Sequence, residues 1–440
     1  HIFTSGSING NRYVAGVASE NNGTIDKAYY NHTLAVKNKQ LTTPKTAIYN
    51  IEDSLNIGSR TLDEMTAKFP FGNDESQMDL EESNYYLREN YDFTQYLPEL
   101  MIFKNHTQDI FTQDSLKSIT YQKVKGLGTK ANPYLIYDGY DMNEIAYHVG
   151  LGNDFTGKYF KVAPKISTID LSLKELSYQA IGSREIFFNG NFDGNNAIFI
   201  LNIQKEEQDN QGIFNTLGTN ALVENIIVNG QVTGLSYVGS ITGRNLGTIR
   251  NIQNYAQITG LHNDVGGIVG YNEGFITNVF NYGQITASGS FVGGIAGQSY
   301  QHIKEAYNKA SVTGYVNVGG IVGNNHALIE YAYNTSQITA TKNISGGITG
   351  TSYGNISYSF NSGDITSEDS VAGGITGVLN QAIIKGTYNA GTILAKSSQA
   401  AGIVANIEKG IIKDSYHFGK VYINEGYINS GQKAQFTDDV

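Results

Sequence analysis

The chain of 440 residues contains no cysteine. That absence removes a disulfide framework, a thiolate metal site and a cysteine nucleophile together. Proline is nearly missing as well, at 5 residues, and charged residues make up only 16%. A disordered chain would carry more charge and proline, and an ordinary helical enzyme would carry more helix-forming charged residues. No run of eighteen apolar residues occurs, so nothing reads as a transmembrane helix. The formal net charge of -10, with basic residues scattered, argues against a nucleic-acid partner, which needs a basic patch to neutralise phosphates. What the chain has instead is 51 Gly, 30 Tyr and many Asn, the composition of short strands joined by tight turns.

Those residues recur with a period. VGSITG at Val238 returns as VGGIVG at Val265, VGGIAG at Val292, VGGIVG at Val318, SGGITG at Ser345, AGGITG at Ala372 and, more weakly, AAGIVA at Ala400. The third positions, Ser240, Gly267, Gly294, Gly320, Gly347, Gly374 and Gly402, are spaced 27, 27, 26, 27, 27 and 28 residues apart. Such constancy means one structural unit per period. Each period holds three apolar patches: GGIVG, a segment such as Phe275–Asn281, and QIT such as Gln284–Thr286. Patches so short, rich in Ile, Val, Tyr and Phe and bounded by Gly or Asn, read as strands. The expected fold is therefore all-β: a right-handed parallel β-helix (β-solenoid) with about 27 residues per triangular coil and short capping helices, its hand following the rule for parallel crossovers.

In such a stack, equivalent residues form columns. An Asn column runs Asn254, Asn281, Asn308, Asn334, Asn361 and Asn389, with His417 last; it is expected to make a corner ladder, its residues able to take the left-handed turn conformation. Just before it stand Phe280, Tyr307, Tyr333, Phe360, Tyr388 and Tyr416, expected as core or as a stacked surface. Ile268, Ile295, Ile321, Ile348 and Ile375 are expected to point inward, and the paired glycines to sit where a side chain would strike the next coil. Asp141–Val149 has helical spacing and is a candidate cap for the open end of the stack.

Thr4–Asn31 is another copy, with Val14, Ala15, Gly16 and Val17 matching VGGI and Tyr30–Asn31 matching the aromatic-Asn pair. The intervening 32–125 does not repeat; it carries a helical signal at Thr61–Lys68 and an acidic stretch near Asp74–Glu82. The expected organisation is 1–103, the closing part of a first solenoid module; 104–125, a linker; 126–210, the cap and first coils of a second module; 211–420, the repeat solenoid; and 421–440, the start of a closing segment. Because His1-Ile2-Phe3 opens within a repeat, the parent chain is expected to extend upstream with further repeats.

These phrases, with GLGTKANPYLIYDGYDMNEIA from Gly126, KYFKVAPKISTIDLS from Lys158, YQAIGS from Tyr178, FNGNFDGNNAIFILNI from Phe188, RTLDEMTAKFPF from Arg60 and YLPELMIF from Tyr96, resemble bacterial surface proteins with GLUG-motif repeats. The resemblance implies a parallel β-helix in a large secreted or wall-attached protein, often an adhesin. Similar repeats precede the catalytic part of IgA-specific metallopeptidases, but the HExxH zinc motif of that chemistry is absent here.

The search for chemistry finds no converging groups. The eight histidines include no pair at ligand spacing with a carboxylate between them; His302 and His326, on adjacent coils, would still make a poor metal site without more ligands. Glu224, Asp264, Glu273, Glu305, Glu330, Asp364, Glu368 and Asp369 do not share a column, and Asp193 in FDGNN reads as an Asp-Gly turn. Glycine spacings of the phosphate-binding kind lack a strand-turn-helix context. No catalytic, cofactor or metal residue is assigned, and the ligand-binding residues stay unassigned. The expected function is a non-catalytic adhesive or spacer segment on the bacterial cell surface, partnered by an extracellular glycan or protein, with no cofactor, no nucleic acid and no membrane insertion. The alternative is a carbohydrate-active β-helix, a polysaccharide lyase or hydrolase. The Thr column Thr259, Thr286, Thr313, Thr339 and Thr366, interrupted by Leu394, raises ice binding as a minor alternative.

If the two modules are separate bodies, limited proteolysis should cut between Lys104 and Lys125 and leave a stable fragment beginning near Gly126. Cleavage inside 238–404 with 104–125 protected would contradict that organisation.

Overall fold

The computed structural model describes residues 126–423 in full. Outside that span it describes the backbone of short strands between Ile2 and Leu100 and of two strands, Gly426–Ser430 and Lys433–Ala434. The chain divides into two compact units, His1–Lys123 and Val124–Val440. In the first, Ile2–Thr4 pairs in parallel with Ala28–Asn31, which pairs in parallel with Ile57–Arg60. Parallel stacking therefore runs one strand beyond Asn31, where the sequence repeat ends, because backbone pairing does not require the glycine and aromatic-Asn phrases. The expectations for 14–17, Thr61–Lys68, Asp74–Glu82 and 104–125 lie outside the described residues.

The second unit is a parallel β-solenoid of about 11 turns, roughly 27 residues apart. At the usual spacing between hydrogen-bonded strands the stack is roughly 50 Å tall. It begins with strand β1 (Tyr134–Ile136), helix α1 (Gly139–Gly150) and strand β2 (Tyr159–Val162), β1 and β2 pairing in parallel. Helix α1 forms where the helical spacing foresaw it. Asp138 caps it, its Oδ1 accepting from the Tyr140 and Asp141 N–H groups at 2.9 and 3.1 Å. Its apolar face, Met142, Ile145 and Val149, is fully buried. The first coils are filled by aromatic rings, with Phe155, Phe160, Phe188 and Phe214 meeting in succession, before the core changes to Ile, Val and Ala.

Each later coil carries four hydrogen-bonded segments rather than three. One sheet contains Val269–Asn272 and its equivalents, a second Phe275–Asn281, a third Ile285–Ala287, and a fourth ladder is made only of dipeptides or tripeptides such as Val265–Gly266. The VGGIVG phrase thus straddles a corner instead of forming one strand. At that corner Ile268, Ile295, Ile321, Ile348 and Ile375 all turn inward with 0% exposure. A Cβ on Gly267 would lie 2.2 Å from the Gly294 carbonyl oxygen and 2.8 Å from the Asn281 amide, so a side chain there would strike the next coil; the equivalent Ser240, in the first copy of the phrase, is the one non-glycine residue at this position.

The Asn column is a buried ladder. Asn281 donates from Nδ2 to the Gly283 carbonyl at 3.0 Å and to Asn308 Oδ1 at 2.8 Å, while its Oδ1 accepts from Asn254 Nδ2 at 2.8 Å. The pattern repeats through Asn334, Asn361 and Asn389 and ends at His417, whose Nδ1 lies 3.0 Å from Asn389 Nδ2. The column does not take the left-handed conformation. That falls three residues earlier, at Asn225, Asn251, Asn278, Glu305, Tyr331, Tyr358, Gly386 and Asp414. The left-handed residue inserts one extra position, which keeps both Ile276 and Val279 pointing inward. Asn and Gly are the residues that pay least for it.

A second amide ladder, absent from the sequence reading, marks the corner after the first sheet: Asn245 donates to Asn272 at 2.8 Å and Asn272 to Ser299 at 2.9 Å. Where Leu379 and Ile407 replace these residues the amide ladder stops, and Thr376–Lys385 and Val404–Lys413 are continuous strands whose pairing shifts register around Asn380 and whose Gln381 is left-handed. Below the last coil, Gly426–Ser430 and Lys433–Ala434 pair antiparallel with Lys420–Ile423 and Ser415–His417, covering strand edges that would otherwise stay open.

Replacing Ile321 by Ala should cost roughly 2–5 kcal/mol through lost transfer energy and a residual cavity. Urea unfolding of the 124–440 unit measures it; a loss below about 0.5 kcal/mol is surface-like and would contradict this packing.

Candidate functional site

The outward side of the second sheet carries the aromatic column. Phe280, Tyr307, Tyr333, Phe360 and Tyr388 stack along the axis with centroids 4.6, 4.3, 4.9 and 4.8 Å apart, so of the two expected placements the stacked surface is the one adopted. Interplanar angles close from 45° at Phe280–Tyr307 to 1° at Phe360–Tyr388. Rings in the lower part therefore cover one another's faces and offer edges to solvent. Flanking pairs are stacked too, Tyr255 on Tyr282 and Tyr331 on Tyr358, with Lys309 and Lys304 placed over Tyr282 and Tyr331. A second outer column, not foreseen, runs Tyr300, His326 and Tyr353 beside the first sheet, with Tyr271 of the Gln298 register position tilted against Tyr300 at its upper end.

The carboxylates read from the sequence are dispersed, and most meet a cation or donor on a neighbouring coil. Glu224 pairs with Arg250, Glu273 with Arg244, Glu368 with Lys396 and Asp369 with Lys342, each at 2.5 Å. Glu330 Oε1 lies 3.2 Å from His302 Nε2. Asp364 accepts from the Thr392 N–H, and Glu305 occupies a left-handed position. Asp193 sits at an irregular point of the long strand Asn191–Lys205, where Asn195 and Asn196, not Gly194, adopt positive φ. Burial would raise its pKa, but Lys161 at 2.7 Å, Asn225 and the Asn195 N–H hold it below the usual carboxylate range. His302 and His326 do not come together. His302 packs on Phe275, whereas His326 stacks between Tyr300 and Tyr353, because His326 is in register with Tyr300 and His302 is not. Among the described residues no three His, Asp or Glu gather as a metal site. The Thr column is in register as expected and extends upward to Thr233, but it has no second Thr column beside it; where the strand is longer, the other outward position is Gln231 or Gln257.

One connected group was not legible in the sequence. Asp264 is buried at a left-handed corner just before Val265, and its Oδ1 accepts from Gln298 Nε2 at 2.5 Å. Gln298 Oε1 accepts from Asn324 Nδ2 at 3.2 Å, and Asn324 Nδ2 also lies 3.1 Å from His326 Nε2. The Asn324 Oδ1 atom is buried with no hydrogen-bond partner. Burial pushes the Asp264 carboxyl up to about 6, although the Gln298 donor works against the shift. Burial lowers the pKa of His326. Around this chain stand Tyr237 and Tyr271, both pushed upward by burial first, and the ion pairs Arg184–Asp209 and Arg244–Glu273. The two amides thus join a titratable acid to a titratable base, and among the described residues no second carboxylate takes part in this group.

No family model matches the chain. It is 31% identical over 133 residues to a protein of Evansella cellulosilytica described as a "putative Gly-rich membrane protein"; the match covers 29% of this chain and 15% of that protein, so only a small part of the relative's length is spanned. Among solved structures it is similar to a "putative immunoglobulin A1 protease" from Bacteroides ovatus, at 20% identity over 72% of this chain and 88% of the other, with a TM-score of 0.42. Among the described residues no helix is long and apolar enough to cross a membrane.

The raised pKa of Asp264 has a stability consequence with a definite sign. Between its ordinary value, 3.8, and about 6 the folded protein keeps a proton that the unfolded chain has released, so stability falls as pH rises through that window and stays lower above it. Asp264→Asn lacks this loss, and Asn is already the residue at the equivalent Asn317, also left-handed. The variant should gain up to about 3 kcal/mol on wild type between pH 3.5 and 7.5. Urea midpoints at the two pH values check it; an unchanged difference would place the Asp264 carboxyl in water.

Proposed function

We propose that this chain is a non-catalytic segment of a large bacterial cell-surface protein, an adhesive or spacer solenoid that presents a long side surface to an extracellular glycan or protein. The resemblance to GLUG-repeat surface proteins points the same way. The observation that carries the reading is the use made of the outer side chains. Rings stack on rings, amides donate to amides and acids meet cations on adjacent coils, so the exterior is spent on stiffening the stack. A rod of this kind projects well. It also limits what a ligand can use: the rings stacked face to face in the lower part of the column present edges and hydroxyls rather than ring faces to a sugar.

A second reading, a carbohydrate-active β-helix, rests on one observation, the Asp264 carboxyl held near neutral pH as a general acid would be. The purified chain on glycan and protein arrays, followed by incubation with each captured polysaccharide, separates the two. The expected result is capture without release of shorter products. Cleavage of any polysaccharide that is lost in Asp264→Asn would overturn the non-catalytic reading.

A further inference from the structure

We infer that Asp264 and His326 form a coupled proton switch in the side of the solenoid, in which the Gln298 and Asn324 amides turn over together when Asp264 gains a proton. In the arrangement described, every donor points toward the acid: Gln298 Nε2 donates to Asp264, and Asn324 Nδ2 donates to Gln298 Oε1. The same Asn324 Nδ2 faces His326 Nε2, which must then be the unprotonated ring nitrogen accepting the bond. The cost of this direction is visible, since Asn324 Oδ1 is left buried without a partner.

A protonated Asp264 reverses the preference. Its hydroxyl can donate to Gln298 Oε1 once that amide has turned, Gln298 Nε2 then donates to Asn324 Oδ1 on the turned Asn324, and the same oxygen accepts from a His326 Nε2–H. The oxygen gains two donors while Asn324 Nδ2 moves into its unpartnered place, so the turn exchanges one orphaned amide atom for the other and is driven by the new Asp264 hydroxyl and His326 N–H donors. His326 is free to carry a proton on Nε2, between Tyr300 at 4.3 Å and Tyr353 at 4.8 Å, whose faces favour a cation. Both tyrosines are exposed, so the change is delivered to the surface. Tyr300 Oη, 3.4 Å from Gln298 Oε1, can donate to the oxygen or accept from the nitrogen and so permits either direction. The remaining charges nearby, Arg184 with Asp209 and Arg244 with Glu273, neutralise one another in pairs. Tyr237 and Tyr271 are pushed upward and stay neutral through the acid range. Burial places the Asp264 carboxyl at about 6, within the range where such a switch would work.

The relay has an unusual sign. Through space, an ionised Asp264 would raise the pKa of His326, and removing the charge would lower it. Through the amides, an ionised Asp264 holds an N–H against His326 Nε2 and disfavours its protonation, so removing the charge should raise it. The test follows the His326 ring by long-range 1H–15N NMR of the full chain from pH 4 to 8, in wild type, Asp264→Asn, Gln298→Met and the double variant. The register column of Gln298 also holds Thr351 and Val378, so an apolar residue is compatible with the fold there. Asn324→Val provides a second way to cut the relay. In Asp264→Asn the His326 pKa should rise by about 0.5 unit or more, roughly a threefold gain in proton affinity. That rise should vanish when Gln298 or Asn324 is also replaced. A fall, no change, or a rise that survives both cuts would overturn the coupling.

Discussion

The register that sets every residue against its own copy one coil away is the constraint on which this structure depends. Parallel stacking at a constant period means that a buried side chain cannot choose a complementary partner; it must be compatible with itself. Asparagine satisfies the condition because its amide donates on one side and accepts on the other. Asn254 through Asn389 therefore sit in the core at no polar cost, each also bonded to the backbone two residues on. An aspartate column would repel itself, and a hydrophobic one would leave the corner carbonyls unbonded. The glycines answer the same demand sterically, since their copies approach closer than any side chain allows.

That constraint explains how the fold ends as well as how it repeats. At the beginning of the second unit the core is occupied by interlocked phenylalanines and closed by α1, so the first strands do not need a preceding copy. Toward the other end the corner amides give way to Leu379 and Ile407, the pairing shifts register there, and antiparallel strands take the place of the next copy. The outer surface obeys the same logic with a functional result. Aromatic side chains at the coil spacing stack on one another before they meet any ligand, so a row of tyrosines on a solenoid is a stiffener first and a recognition surface only at its edges.

The corners are where chemical variety enters without disturbing the backbone. The left-handed column preceding the Val-Gly ladder holds Asn210, Tyr237, Asp264, Phe291 and Asn317, five different surroundings on one conformation. Buried among amides, Asp264 acquires a pKa that no exposed copy of the column would have. The neighbouring coils supply Gln298 and Asn324 at a single register position, and so connect the acid to a histidine in a different column.

Much of this was legible from the period alone. The all-β parallel solenoid, the Asn corner ladder and the inward Ile at each GGI follow from spacing, because a residue's vertical neighbour is by construction its own equivalent; the helix was legible too, although a first strand, Tyr134–Ile136, comes ahead of it. The tertiary structure decided whatever runs sideways. The left-handed residue lies three positions before the Asn and can be Asn, Glu or Tyr, so it leaves no constant letter to find. The fourth ladder hides inside a phrase that reads as one strand. Asp264 meets Gln298 across 34 residues, one period plus the distance around a corner, and a column aligned at 27 never sets those two side by side. Periodicity in sequence reports translation along the axis; the bend of each coil, which brings different columns into contact, is set by packing and appears only when the chain is folded.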